Sequence, residues 1–329
     1  MSSKRINILA YDGCMGMEVF GLCDTLRLAN RVALALRGAT AAPLFDVRVT
    51  SLAGGMVVAA GGLSIGTRKY RASHDLLVIP GMDIGDRDGC TRPHAQLAAE
   101  VKAIARAFAR GAPVVALCVG AFLLAEAGLL DGRRATTSWM FAADLARRFP
   151  LARVDPAAML VEDSGVTTTG AFSATFDLAM HLVRQTASPK EARALARMAL
   201  LDRRANQAPY IDTSMTARPS GRFSDSVQSW LSERLAAPYK LAELSAAFHV
   251  SSRTMLRRLH AETGQSPLAY LQGERINLAK RLLEAGPTSV AQIAERVGYG
   301  DVATFSTLFK RLTGQSPAQY RRSFSSGPV

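Results

Sequence analysis

The sequence predicts an α/β, doubly wound parallel-sheet domain followed by an all-α domain with two helix-turn-helix units. Three observations lead there. Up to about residue 200, short apolar runs alternate with stretches of helical periodicity, the rhythm of strands crossed over by helices. Beyond residue 222 strand candidates disappear. Finally, Thr263-Gly-Gln-Ser-Pro267 returns as Thr313-Gly-Gln-Ser-Pro317 at a spacing of 50 residues, an internal repeat that chance explains poorly.

Along the chain, strands are expected at Ile6–Ala10, Phe45–Thr50, Leu76–Ile79 and Val114–Leu117, and helices over about 17–36, 94–110, 119–127, 172–186 and 189–200. Asn206 to Gly221 then gathers Pro209, Pro219, Gly221 and several Ser and Thr, which reads as a linker. The expected domains are therefore 1–205 and 222–329, joined by 206–221. In the second, helical segments are punctuated by Pro238, Gly264, Pro267, Gly286, Pro287, Gly314 and Pro317.

Composition narrows the function class. With 48% hydrophobic and 20% charged residues, the 329-residue chain is neither disordered nor collagen-like nor a coiled coil. Forty Lys and Arg against 27 Asp and Glu give a net charge of +13, so a polyanion is the first partner to consider. Basic charge is denser at the C-terminal end, although not confined to it. Cys14, Cys23, Cys90 and Cys118 are too few and too scattered for a disulfide framework, and no Cys/His cluster offers a zinc site. No metal or cofactor is expected, and a reducing cytoplasm fits. The first ten residues lack an apolar signal core, and the most apolar stretch, Val114–Leu130, is interrupted by Gly120, Glu126 and Gly128, so neither secretion nor a membrane span is expected.

Upstream of each pentapeptide lies a pair of short helices, Leu241–Phe248 with Ser252–Thr263 and Val290–Val297 with Asp301–Thr313, joined by the tight turns His249-Val-Ser251 and Gly298-Tyr-Gly300. Leu244, Phe248, Met255 and Leu259 form an apolar face in the first pair, and Ile293, Val297, Phe305 and Phe309 take those places in the second. With Met255, Leu256 and Leu259 turned inward, the first helix start Ser252 and then Arg253, Thr254, Arg257 and Arg258 are outward candidates. Ala303, Thr304, Thr307, Lys310 and Arg311 are their counterparts. One such face alone reads equally well as a solvated surface. Two in tandem point to double-stranded DNA, whose major groove admits a helix and where Arg reads guanine and Thr a base edge or a thymine methyl. A connecting helix over about 267–285 would separate the units by roughly 28 Å, approaching the roughly 34 Å of one DNA turn.

The second unit, from Gly298-Tyr-Gly-Asp-Val-Ala-Thr-Phe-Ser to Pro317-Ala-Gln-Tyr-Arg321, resembles the signature of the AraC family of transcription regulators, and the likeness extends over about 222–323. It implies seven helices carrying two helix-turn-helix units, with most base readout in the first. Arg321 and Arg322, after the last helix, suit phosphate contact or plain solvation equally.

In the N-terminal half, Val114-Val-Ala-Leu-Cys118-Val-Gly120 is a strand, a sharp small-residue turn and the start of a helix. Such an elbow exposes its central side chain and aims it at a helix N-terminus, whose dipole lowers a thiol pKa, so Cys118 is a candidate nucleophile. The alternative is a packing residue. A nucleophile needs a base, and none of His74, His94, His181, His249 or His260 lies beside the elbow in sequence. This half resembles the PfpI-type, class I glutamine amidotransferase-like fold, a flavodoxin-like arrangement, over roughly 5–190. Enzymes of that group usually follow the cysteine with His, where Val119 stands, and Ser138 occupies a place where many regulator-type relatives carry another His. The resemblance also gives Glu18 as the acid that approaches the elbow, although a first-turn carboxylate favoured by the helix dipole is as good a reading. Asp177 and His181, four apart on a helix, would supply only two of the ligands a metal needs, and the resemblance makes the motif structural.

Together the two likenesses imply a ligand-responsive regulator rather than an enzyme, with Cys118 a vestigial elbow. The expected partners are promoter DNA, a small-molecule effector, RNA polymerase in an activator role and a second copy of the chain. Regulators of this architecture respond to nitrogen-containing metabolites such as arginine, carnitine or glycine betaine. The candidate effector residues are Glu18, as countercharge for an amine, Cys118, and the rings of Phe20, Phe122 and Trp139, each of which also suits a core position. The alternative function is a cysteine-dependent hydrolase or amidase that carries a DNA-binding domain.

Overall fold

A computed structural model of the chain describes residues 3–38, 40–83, 96–212, 215 and 223–324; Cys90, His94 and half of the expected linker lie outside them. The chain divides into two compact units, Met1–Gln207 and Ala208–Val329.

The first unit is built on an eight-stranded sheet. Strands β1 (Lys4–Leu9), β2 (Phe45–Ser51), β5 (Leu76–Ile79) and β6 (Val114–Ala116) are the four expected from their apolar runs, and they pair in parallel in the order β2-β1-β5-β6. Four further strands extend it. β3 (Gly55–Val58) and β4 (Ser64–Lys69) form an antiparallel hairpin beside β2, while β10 (Val166–Thr169) continues the parallel set beside β6 and carries antiparallel β9 (Leu160–Asp163) at the other edge. The sheet is thus mostly parallel rather than wholly so. A small two-stranded piece joins β7 (Arg134–Ala135) to β8 (Arg153–Val154). The central strands are buried on both faces, as crossover helices require.

Those helices are α1 (Gly16–Arg37), α2 (Ala98–Ala109), α3 (Ala121–Glu126), α4 (Ala142–Arg148), α5 (Ala174–Thr186) and α6 (Pro189–Met198). Ser188 opens α6 with a capping box to Glu191, and Arg37 at the end of α1 grips the same carboxylate at 2.5 Å, which pins α6 against α1 and holds the Glu191 carboxyl down at about 2.

The second unit consists of helices α7 (Phe223–Ser232), α8 (Leu241–Ala247), α9 (Ser252–Thr263), α10 (Pro267–Glu284), α11 (Val290–Arg296), α12 (Val302–Thr313) and α13 (Pro317–Phe324). The duplicated pentapeptide acquires a physical meaning here. In each copy the threonine hydroxyl bonds back to a carbonyl four residues earlier, Leu259 or Phe309, and also receives the glutamine N–H. The glycine, at φ 71° or 77°, is the left-handed residue that stops the helix. Ser266 and Ser316 then accept from the backbone three residues on, and the proline fills the first helical position, where no N–H is needed. The repeat is therefore one helix stop followed at once by one helix start.

Two small cores result. Val227, Leu231, Leu244, Met255, Leu259 and Leu271 make one, and Ile276, Leu283, Ile293, Val297, Phe305 and Phe309 belong to the other, so that α10 contributes to both. At its 18 residues α10 is about 27 Å long. Its Arg275 donates to the carbonyls of Leu235 and Ala237, 2.7 Å each, and lies over the Tyr299 ring, tying the approach to the first helix pair to the turn of the second.

Candidate functional site

The elbow lies where the parallel strands end. Cys118 follows β6 at φ 49°, the strained left-handed conformation expected of such a turn. Gly120 is what lets the turn close, because a Cβ there would lie 2.8 Å from the carbonyl oxygens of both Ile79 and Pro80. The Cys118 carbonyl accepts from the Thr137 hydroxyl at 2.8 Å. Its thiol faces the Ser138 side chain, the Phe172 backbone and the Glu18 carboxylate. Gly81 sits between acid and thiol. Its N–H donates to Glu18 Oε2 at 2.5 Å, and a Cβ there would meet both side chains at 3.1–3.3 Å.

This geometry reverses the expected thiol chemistry. Burial first, and the neighbouring Glu18 second, push the Cys118 thiol up to about 12 rather than down. The helix N-terminus does not prevail, because the turn at 118–120 is a short 3-10 segment and α3 begins only at Ala121. Glu18 is fully buried with Oε1 unpartnered, and burial raises its carboxyl to about 7. It is therefore no exposed countercharge for an amine. Neither described histidine of this unit serves the thiol: His74 sits against Tyr70 and Arg71, and His181 contacts Gln185 and Glu162. Asp177 pairs with Arg204 instead of sharing a ligand with His181.

The aromatic walls fare unevenly. Phe122 is wholly buried, edge-on to Phe149 with the Arg148 guanidinium above it, and belongs to the core. Phe20 is half exposed and, two residues beyond Glu18 on α1, stands about 200° around the helix from it. Trp139 is partly buried directly after Ser138 and remains beside the elbow in the chain. A cavity of about 300 Å³ lies between α5 and the segment after α6, lined by Phe176, Met180, Leu201 and the Asp177–Arg204 pair; none of Glu18, Cys118 or Trp139 lines it.

In the second unit Arg253 and Arg257 are exposed on α9, as are Ala303, Thr304, Thr307, Lys310 and Arg311 on α12. Three first-helix candidates have local duties. Arg258 stacks its guanidinium 4.1 Å over Phe223 and lies beside Glu262, which itself receives the Ser224 N–H. Ser252 is partly buried 3.3 Å from the Ser245 hydroxyl, and Thr254 closes the N-terminal cap with Ser251. Among the second set, Thr304 binds the capping Asp301 and Arg311 reaches Gln272 on α10. Leu256, expected inward, is 40% exposed. It shares a face with Arg253, Arg257 and His260 at helical spacing, and that spacing is the available signal for an apolar contact on the cationic face. Arg321, which lies with Arg322 within α13, donates to the Thr288 carbonyl.

A mostly parallel sheet with a strained cysteine elbow is followed by two helix pairs joined through one connecting helix. The chain belongs to the DJ-1/PfpI family, whose profile matches residues 4–185, and a helix-turn-helix domain profile matches 244–323. It is similar over nearly its whole length to the HTH-type transcriptional regulator GlxA of Rhizobium meliloti, at 27% identity over 97% of this chain and 96% of that protein. The HTH-type transcriptional regulator CdhR of Pseudomonas aeruginosa is 26% identical over 93% of this chain and 89% of its own. The HTH-type transcriptional activator RhaS of Klebsiella pneumoniae matches the C-terminal part alone, at 39% identity over 29% of this chain and 34% of its own. No helix among the described residues is long and apolar enough to cross a membrane.

Proposed function

We propose that the chain is a ligand-responsive, sequence-specific DNA-binding transcription regulator whose first unit senses a small nitrogen-containing metabolite without consuming it. The duplicated helix-turn-helix unit, with Arg253, Leu256 and Arg257 exposed together on α9, carries the DNA-binding part. Arginine forks suit guanine and an exposed leucine suits a thymine methyl, while Thr307 and Lys310 on α12 supply a weaker second reading. A thiol held near 12 with no histidine beside it among the described residues has a negligible thiolate fraction at neutral pH, which disfavours the hydrolase alternative. Effector contact is assigned to the elbow surface at Cys118, Ser138 and Trp139, with Glu18 acting from beneath rather than as a direct partner. Self-association through the first unit would match paired promoter sites.

The test uses the full chain. An operator selected from random duplexes should be bound with an affinity that falls steeply between about 50 and 200 mM salt, as counterion release requires. Absence of any selected sequence would remove the regulatory reading. Calorimetry with a panel of amines and amino acids should show stoichiometric binding that leaves the compound intact; release of ammonia or a hydrolysed product would restore the enzyme reading.

A further inference from the structure

The stretch 206–221 has the composition of a linker, yet Gln207, the last residue of the first unit, is heavily anchored. Gln207 is 2% exposed. Its Nε2 donates to the carbonyls of Ala158 at 2.9 Å and Thr137 at 3.0 Å, its Oε1 accepts from the Ala171 N–H at 2.8 Å, and its backbone N–H reaches Ala157 at 2.7 Å. The carboxamide lies directly against Gly170, where a Cβ would stand 2.4 Å from Gln207 Cδ.

Two of these partners matter because of their neighbours in the chain. Thr137 precedes Ser138, and Ala171 precedes Phe172; Ser138 and Phe172 face the Cys118 thiol, together with the Val119 backbone and Glu18. Thr137 also donates its hydroxyl to the Cys118 carbonyl. One amide side chain thus holds both walls of the elbow.

The next residue begins the second unit, and its carbonyl is anchored in turn. Within that unit Lys280, on the connecting helix α10, is 6% exposed and donates to the carbonyls of Ala208 at 2.9 Å and Ile211 at 2.8 Å. Tyr210, between them, packs edge-on to Phe324. Consecutive residues are therefore fastened, one to the elbow walls and the other to the helix that carries both recognition pairs.

We propose that Gln207 is the positioning residue through which a change at the Cys118 elbow reaches the DNA-binding unit, with the Lys280 anchor receiving it at Ala208. The proposal rests on the regulatory reading of the chain. A ligand that displaces Ser138 or Phe172 must shift Thr137 or Ala171, and the rigid carboxamide passes the shift to the covalently adjacent Ala208 instead of letting it dissipate in a loop. By linkage, the coupling acts equally in both directions.

The experiment reads amide exchange over 208–212 in the full chain, with the elbow perturbed by Ser138→Ala or, independently, Cys118→Met. Either change should alter exchange there by about fivefold or more in the native background and by less than about twofold once Gln207→Met, which keeps the volume and removes the bonds, is also present. Gly170→Ala, which evicts the carboxamide without touching Gln207, should uncouple the response in the same way. Equal responses with and without Gln207, or none in the native background, would overturn the proposal. Affinity for the selected operator separates this route from the regulatory reading on which it rests. If Ser138→Ala changes it equally in both backgrounds, the regulatory reading stands and this route falls; a chain that binds no duplex sinks both.

Discussion

The two helix-turn-helix pairs share a skeleton and differ in what they present. The second helix of each pair starts on a capping side chain, Ser251 or Asp301, and both stop at a left-handed glycine. Yet α9 displays Arg253, Leu256 and Arg257, whereas α12 displays Ala303, Thr307 and Lys310. They also turn differently. The residue after each first helix's C-cap has positive φ in both, but it is His249 at 52° in one and Gly298 at 85° in the other. Repetition has preserved the stops, starts and cores that make a helix pair and left the outward face free to diverge. Geometry and readout are therefore separable by mutation.

The largest effect is expected at the crowded turn. A Cβ on Gly298 would lie 2.8 Å from the Ala236 carbonyl oxygen and 2.9 Å from the Arg275 guanidinium, besides requiring a disfavoured φ. Gly298→Ala should cost about 3 kcal/mol of second-unit stability. Urea unfolding followed by Trp230 in a Trp139→Phe background measures it, and a loss below about 1 kcal/mol would mean that the two turns are equally tolerant.

Next comes the pH response of the helix that joins the pairs. Burial lowers the Lys280 ammonium to about 8, against opposing pulls from Asp212 and Glu284. Its folded pKa lies below its unfolded value, so between about 8 and 10 the unfolded state holds more protons and stability rises with pH. Above that range Tyr320, held up by burial and by its bond to Glu284, acts in the opposite sense. The native second unit should gain about 2 kcal/mol from pH 8 to pH 10 by this group, and Lys280→Met should flatten the rise. An unchanged slope would place the buried charge elsewhere.

How far the sequence discloses these features depends on the kind of signal. β5 and β6 are legible because parallel strands buried on both faces are unbroken apolar runs, and β1 and β2 because their apolar residues alternate with polar ones such as Asn7, Asp46 and Arg48. β10 is not, although every residue of Val166-Thr-Thr-Thr169 is buried. Its threonines resemble a loop until the Thr168 hydroxyl is seen receiving the Thr136 N–H and Thr169 that of Cys118. The elbow is legible from its small residues, but its chemistry is not. The acid that raises the thiol is 100 residues away in the chain, and the direction of the shift follows from burial, which spacing does not encode. Leu256 is misplaced by pattern alone because amphipathicity marks a helix's apolar side without showing where the covering helices stop. Gln207 is invisible for the opposite reason: one buried amide among Pro, Ser and Thr has the composition of a linker.

The readout difference predicts an asymmetry at the operator. Arg257→Ala should cost about 1–3 kcal/mol of specific binding and relax selectivity at one base pair, whereas Thr307→Ala should cost about 1 kcal/mol or less. Electrophoretic titration of both full-length variants on the selected operator tests it, and equal losses would make the pairs equivalent readers.

The smallest effect is expected at the open turn, and it completes the comparison. His249 is exposed at φ 52°, a conformation that costs a residue bearing a Cβ roughly 1 kcal/mol. Replacing it by glycine removes that strain but gives the unfolded chain more freedom, a penalty of roughly 0.5–1 kcal/mol. His249→Gly should therefore leave second-unit stability within about 0.5 kcal/mol of the native value, by the same urea titration that records the large loss for Gly298→Ala. The first turn tolerates either residue because its strain is confined to the backbone torsion. In the second, a side chain would also meet the Ala236 backbone and the Arg275 bracket. A loss above about 1 kcal/mol in His249→Gly would instead show that the imidazole makes a stabilising contact of its own, and the two turns would then differ in side-chain chemistry rather than in crowding.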